Sequence, residues 1–156
     1  YLGQRLWKLI REDNGLSYDP EVYYQFTGSS SAPMLLVAFH SLTENTGAAI
    51  NLVLGEFKKI AAEGIPEAEV QKIMERERKQ RKLMGKDLRS TIKTAALYGL
   101  TGQKWLIDHE DYFTRLTNET KMVPQVITTG LARLKISVAG PEATGQYLED
   151  VTLETK

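Results

Sequence analysis

The stretch RLWKLIREDNGLSY, residues 5–18, predicts a helix that ends in a turn and leads into a strand. Apolar residues at helical spacing are Leu6, Leu9 and Ile10, with Trp7 alongside. Asn14-Gly15 is a typical helix stop, because both residues tolerate the left-handed backbone conformation that a helix exit often needs. A turn requires this glycine. It requires neither the arginine before it, Arg11, nor the tyrosine after it, Tyr18.

The composition is that of an ordinary globular domain, with 156 residues, 42% of them apolar and 26% charged. Twenty basic and twenty acidic residues give a net charge of zero, which offers no general case for a nucleic-acid or membrane partner. The chain contains no cysteine, so disulfides and thiolate zinc sites are excluded. No apolar run reaches the length of a membrane span.

The residues after the turn predict a hairpin with a long connection. Leu16 to Phe26 alternate between apolar and polar, and Pro20 places an edge or a bulge at the start of that strand. MLLVAFHSL, residues 34–42, is apolar on both faces, which predicts an interior strand with one face covered and the other partly shielded.

Helical periodicity dominates the rest of the chain. The predicted elements are a helix over 44–63 that ends at Gly64, a second helix after Pro66, a third from Leu88 to the glycine-rich YGLTGQ, and a fourth over 104–116. A fifth helix is predicted to start near Thr117, and Pro124 would either kink it or delay its start. A last strand with one solvated face is predicted over RLKISVAGP, residues 133–141.

Three strands are too few to cover this many helices. We therefore expect an α+β fold, with helices packed on one face of a mostly antiparallel sheet that lacks its first strands. The missing strands would precede Tyr1, in a longer polypeptide or a precursor. Residues 1–141 are interpreted as a partial domain and residues 142–156 as a tail or linker.

Most candidate chemical groups favour a structural interpretation. The only histidines, His40 and His109, lack a partner at metal-ligand spacing, so no metal site is predicted. No serine lies in a nucleophile elbow, and no glycine-rich loop has phosphate-binding spacing. The basic run over 76–82 contains no aromatic residue and offers i, i+4 pairs such as Glu77 with Arg81, which favours a solvated helix face.

Arg11 and Tyr18 remain as candidate site residues, each with a structural alternative. Arg11 would compensate the helix dipole, because it lies at a helix C-terminus. Tyr18 has the strand parity of Val22 and Tyr24, so it would be a core aromatic residue with a solvated hydroxyl.

The same stretch resembles the pitrilysin/insulinase-type metallopeptidases, the inverted zincins, and more narrowly their second, zinc-free half. The family pattern is Arg-Leu on a helix, then Arg-Glu, two variable residues, Gly-Leu, a small residue and Tyr. This chain has Arg5-Leu6 followed by REDNGLSY, residues 11–18. Three later segments are also similar, namely EGIPEAEVQK at 63–72, LTNE at 116–119 as a Thr-capped helix start, and ISVAGP at 136–141 as a closing strand.

The resemblance implies the non-zinc half of a zinc-dependent endopeptidase of clamshell shape. The zinc motif H-x-x-E-H is absent from this chain, so no cofactor is expected here and zinc is expected in a partner half. That half would be fused upstream or be a separate subunit. In active relatives the pair that matches Arg11 and Tyr18 faces the metal and contacts the peptide carbonyl, where negative charge develops. Alone, this segment is expected to be inactive.

Two alternatives stay open at this stage. One is a non-catalytic family member that acts as a scaffold or assembly subunit. The other is a stand-alone, helix-rich binding module. The presence of H-x-x-E-H in the adjacent polypeptide would separate the peptidase half from both.

Overall fold

A computed structural model describes residues 1–25, 34–84, 87–100 and 109–141. The described elements are α1 (Leu2–Leu6), which continues into a π-helical segment (Trp7–Asp13), β1 (Glu21–Gln25), β2 (Met34–Ala38), a 3₁₀ turn (Thr43–Asn45), α2 (Thr46–Glu63), α3 (Glu67–Met84), α4 (Leu88–Leu100), α5 (His109–Thr120) and α6 (Val123–Leu131). The α+β class is confirmed. The chain divides into two compact units, Tyr1–Glu63 with Pro124–Lys156, and Gly64–Val123.

The N-terminal helix ends as its sequence predicts. Gly15 has φ = +62°, the left-handed conformation that glycine adopts without steric cost. Its N–H donates to the Arg11 carbonyl at 3.1 Å, and the Leu16 N–H donates to the Ile10 carbonyl at 2.8 Å. These bonds satisfy carbonyl groups that a helix end would otherwise leave without partners.

The core of the first unit forms where this helix meets α2. Leu6 and Ile10 are completely buried and pack with Val53 and Phe57 of α2. The helical period predicted over 44–63 is therefore confirmed. The partly buried residues around this core are Leu2, Leu16, Val22, Val37, Phe39, Ile127 and Leu131.

Sequence patterning did not reveal the ion pair that joins the same two helices. Nε and Nη2 of Arg5 donate to the two carboxylate oxygens of Glu56, each at 3.0 Å. The Glu56 side chain is only 4% exposed, and this hydrogen-bonded carboxylate raises the pKa of Arg5 above its ordinary value. Glu56 therefore enters the interior with its charge compensated.

The predicted hairpin is present, although β2 is not an interior strand. β1 and β2 are antiparallel, with Glu21 opposite Ala38 and Gln25 opposite Met34, and their connection lies outside the described residues. The prediction that β2 would be covered is wrong, since Met34, Leu35 and Leu36 are 42–49% exposed. Of residues 34–42, all of which the structure describes, only Val37 and Phe39 pack against the core.

The strand predicted over 133–141 does not form in the described structure. These residues lack strand pairing there, and Leu134, Ile136 and Val138 are partly exposed. Together with β2 and α2 they line a cleft of about 490 Å³. Alternation shows which side chains could face a core, but a strand forms only when its backbone groups find partners.

The basic run of α3 is mostly exposed, as predicted, but it also contacts aromatic rings. Arg78 and Arg81 lie over the rings of Phe113 and Tyr112, at 4.1 and 3.5 Å from their centroids. The pairing of Glu77 with Arg81 is confirmed, at 3.0 Å. The apolar core beside these contacts consists of Val70, Met74 and Phe113.

No helix begins at Thr117. α5 continues through this residue, whose hydroxyl donates to the Phe113 carbonyl at 2.9 Å, so the prediction of a Thr cap is wrong. α6 begins instead at Val123 and holds Pro124 in its first turn, where proline removes no helical hydrogen bond. The predicted delay of the helix start is therefore confirmed. None of the described helices combines the length and apolar character needed to cross a membrane.

Candidate functional site

The structure brings Arg11 and Tyr18 into direct contact. The guanidinium carbon of Arg11 lies 4.3 Å from the centroid of the Tyr18 ring and 4.3 Å from the centroid of the Trp7 ring. Both distances are within the range of cation–π interactions. We refer to Trp7, Arg11 and Tyr18 as the Arg11 stack. The sequence singled out Arg11 and Tyr18 as candidate site residues but gave no role to Trp7.

The backbone around the Arg11 stack explains how its members meet. Trp7 and Arg11 both lie in the π-helical segment, one turn apart, so their side chains share one face. Short π-helical segments are rare and are often found at functional sites. The chain then reverses at Gly15 and brings Tyr18 back toward Arg11.

The strand pairing is irregular around Tyr18. Ser17 is opposite Ser41 and Glu21 is opposite Ala38. Three residues, 18 to 20, separate the first pair from the second on one chain, whereas two, 39 and 40, separate them on the other. One strand therefore has one residue more than the other between the two pairs, as in a β-bulge, and we refer to residues 18–20 as the bulge.

The bulge overturns the interpretation of Tyr18 as a core aromatic residue. Its parity with Val22 and Tyr24 is broken between Ser17 and Glu21, and the Tyr18 side chain is 78% exposed. The exposed ring therefore contacts Arg11 instead of the core. Within the described residues, its hydroxyl has no hydrogen-bond partner and could donate to a ligand.

Arg11 also has donors available for a ligand. Its side chain is half-buried, yet among the residues that the structure describes no carboxylate forms an ion pair with it. A guanidinium carries five N–H donors in one plane and cannot lose its charge in proteins. A phenol and a guanidinium in contact form a donor pair suited to a carbonyl oxygen or an oxyanion.

A second polar pair lies on the same bulge. Oδ2 of Asp19 accepts a hydrogen bond from Nδ1 of His40 at 2.8 Å, and Oδ1 of Asp19 accepts one from the His40 backbone N–H at 3.3 Å. The described residues contain no group of three potential metal ligands, so this pair is a hydrogen-bonded carboxylate–imidazole contact. Both groups are exposed to solvent.

This contact predicts a measurable shift of a carboxyl pKa. The hydrogen bond from the His40 side chain lowers the pKa of Asp19 below its ordinary value of 3.8. The stabilisation is therefore present above the unfolded pKa and is lost as the pH falls through the folded one, in acid below about pH 4. NMR titration of the Asp19 carboxyl carbon should give the lower value, and the His40→Ala variant should restore the ordinary one. Equal values in the two proteins would contradict the contact.

Comparison with known families places the first half of the chain. Residues 1–77 match the family described as the peptidase M16 inactive domain. No curated protein and no solved structure gives a significant match. The matched range contains the Arg11 stack, the bulge and the core between the N-terminal helix and α2. The match over residues 1–77 thus supports the resemblance of this part of the chain to the zinc-free, C-terminal half of the pitrilysin-type peptidases.

Proposed function

We propose that this chain belongs to the zinc-free half of a zinc-dependent endopeptidase and supplies the substrate-carbonyl contacts of its closed chamber. Arg11 and Tyr18 make these contacts. The partner half, fused or separate, holds the zinc, which supplies Lewis-acid polarisation and an activated water when bound. Peptides are the substrates.

The contact between Arg11 and Tyr18 is the observation that carries this proposal. Two polar side chains, seven residues apart in sequence, meet 4.3 Å from ring centroid to guanidinium carbon. Neither has an oxygen partner in the described part of the chain. The Arg11 guanidinium therefore keeps N–H donors that a ligand can use, beside a phenol hydroxyl that can also donate.

The chemistry follows from the charge that peptide hydrolysis creates. When water adds to the carbonyl carbon, the π-bond electrons move to the oxygen, which gains negative charge, and the carbon becomes tetrahedral. Tyr18 donates a neutral hydrogen bond to that oxygen or to a neighbouring peptide carbonyl, while Arg11 contributes a positive charge and further donors. Groups held in place before the reaction stabilise this charge without reorganising at the moment of attack.

The Tyr18→Phe variant tests the proposal, because it removes one hydroxyl and keeps the ring that contacts Arg11. We expect kcat/KM for peptide hydrolysis by the complete protein, zinc half included, to fall at least about tenfold. Zinc content and melting temperature should stay unchanged. Steady-state hydrolysis of a fluorogenic peptide provides the measurement.

Tyr24→Phe is the matched control. Tyr24 lies on β1, is also strongly exposed and has no contact with Arg11 among the described ring contacts. Full activity in this variant together with a loss in Tyr18→Phe supports the proposal. Unchanged activity in both variants would reject the carbonyl contact and favour a scaffold or assembly subunit, the alternative in which this half only builds walls and interfaces.

A further inference from the structure

We propose that Trp7 is a positioning residue that holds the Arg11 guanidinium in place for the peptide carbonyl. This inference rests on the proposed function and adds a third residue to the site. The observation that supports it is a distance. The Arg11 guanidinium carbon is as close to the Trp7 ring centroid as to the Tyr18 ring centroid, 4.3 Å in each case.

An unrestrained arginine at this position would be a poor catalytic group. Its long side chain has large rotamer entropy, most of which would be lost when it docks on a substrate. Cation–π contact with two rings restricts the guanidinium before substrate arrives, and tryptophan provides the strongest such contact. Binding energy that would otherwise order the arginine then remains for the transition state.

Trp7 is placed where it can perform this role without serving the core. It lies in the π-helical segment one turn before Arg11, and its side chain is 38% exposed. The core cluster of the first unit contains Leu6 and Ile10 but not Trp7. A change at Trp7 should therefore alter the surroundings of Arg11 while the buried face of the helix stays intact.

The two ring contacts also leave the guanidinium able to bind an acceptor. Both contacts are made with ring faces, and no carboxylate in the described residues pairs with Arg11. A salt bridge would hold the arginine equally well but would neutralise it and occupy its donors. Stacking on Trp7 restrains the group and keeps both its charge and its donors for the substrate.

The test compares Trp7→Leu with Trp7→Phe in the complete protein. Leucine removes the aromatic face, so kcat/KM should fall about three- to tenfold, mainly through kcat, because Arg11 acts on charge that develops during the reaction. Phenylalanine retains an aromatic face, and kcat/KM should stay within about twofold of wild type. Melting temperatures should agree among the three proteins.

The decisive experiment introduces Trp7→Leu into the Arg11→Leu variant and compares the double variant with Arg11→Leu alone. If Trp7 acts through Arg11, the second change should cause no further loss, since residues that act as a unit are not additive. A full additional loss would overturn the inference, and so would unchanged kcat/KM in the single Trp7→Leu variant.

The same assay separates this inference from the proposed function. If Tyr18→Phe and Arg11→Leu both retain full hydrolysis, the carbonyl contact itself is rejected and the role of Trp7 is rejected with it. If those two variants lose activity and Trp7→Leu does not, only the positioning role is rejected.

Discussion

Replacing Arg11 with leucine is expected to lower kcat/KM for peptide hydrolysis about a hundredfold. The variant loses a permanent positive charge and five N–H donors, which the structure holds between Trp7 and Tyr18 without a carboxylate partner in the described residues. The positive charge and donors of Arg11 stabilise negative charge on the carbonyl oxygen, which develops only as the carbonyl is attacked. The loss should therefore appear mainly in kcat. Steady-state kinetics of the complete protein with a fluorogenic peptide provide the measurement.

Two further variants separate charge, geometry and general surface effects. Arg11→Lys keeps the charge but lacks the planar group that stacks on rings, so an intermediate loss of about tenfold is expected. Arg115→Leu makes the same change of net charge at an exposed residue of α5, where the native side chain pairs with Glu119 at 2.7 Å, and should keep full activity. Equal rates for Arg11→Leu and Arg115→Leu would contradict the role of Arg11.

The first eighteen residues show how far local sequence signals reach. The period of Leu6 and Ile10 identified the buried face, and Asn14-Gly15 identified the stop, because both depend on backbone preferences within one turn. The juxtaposition of Arg11 and Tyr18 followed only from resemblance to a family. Spacing alone favoured a surface charge and a core aromatic residue.

The direction of Tyr18 could not be obtained from alternation. An extra residue between the pairs at Ser17 and Glu21 interrupts the alternation, and Pro20 was the local sign of this irregularity. The strand predicted over 133–141 failed for a related reason. Strand formation depends on a partner that the local sequence does not specify.

Sequence patterns also failed to predict side-chain contacts between different elements. The ring contacts of Arg78 and Arg81 could not be predicted from the basic run itself, because Tyr112 and Phe113 belong to another helix. The spacing of Trp7 and Arg11, one helical turn, is a signal that could have revealed their contact. No comparable signal precedes the pairing of Arg5 with Glu56, which lie 51 residues apart.

That ion pair gives the largest stability effect that we expect. Arg5→Leu should reduce the free energy of unfolding by about 3 kcal/mol, because Glu56 stays buried in α2 without the guanidinium that compensates its charge. The reverse change should cost far less. Arg5 is 37% exposed, so in Glu56→Leu its charge can turn toward water, and we expect a loss below about 1 kcal/mol.

Urea unfolding of the two single variants and of the Arg5→Leu/Glu56→Leu double variant measures these differences. The double variant should recover most of the loss seen in Arg5→Leu, since replacing both members of a buried pair with apolar residues of similar volume is close to neutral. Such recovery would show that the cost lies in the uncompensated carboxylate and not in lost packing of the arginine stem. A double variant as unstable as Arg5→Leu would instead assign the stabilisation to that stem and leave the ion pair with no net contribution.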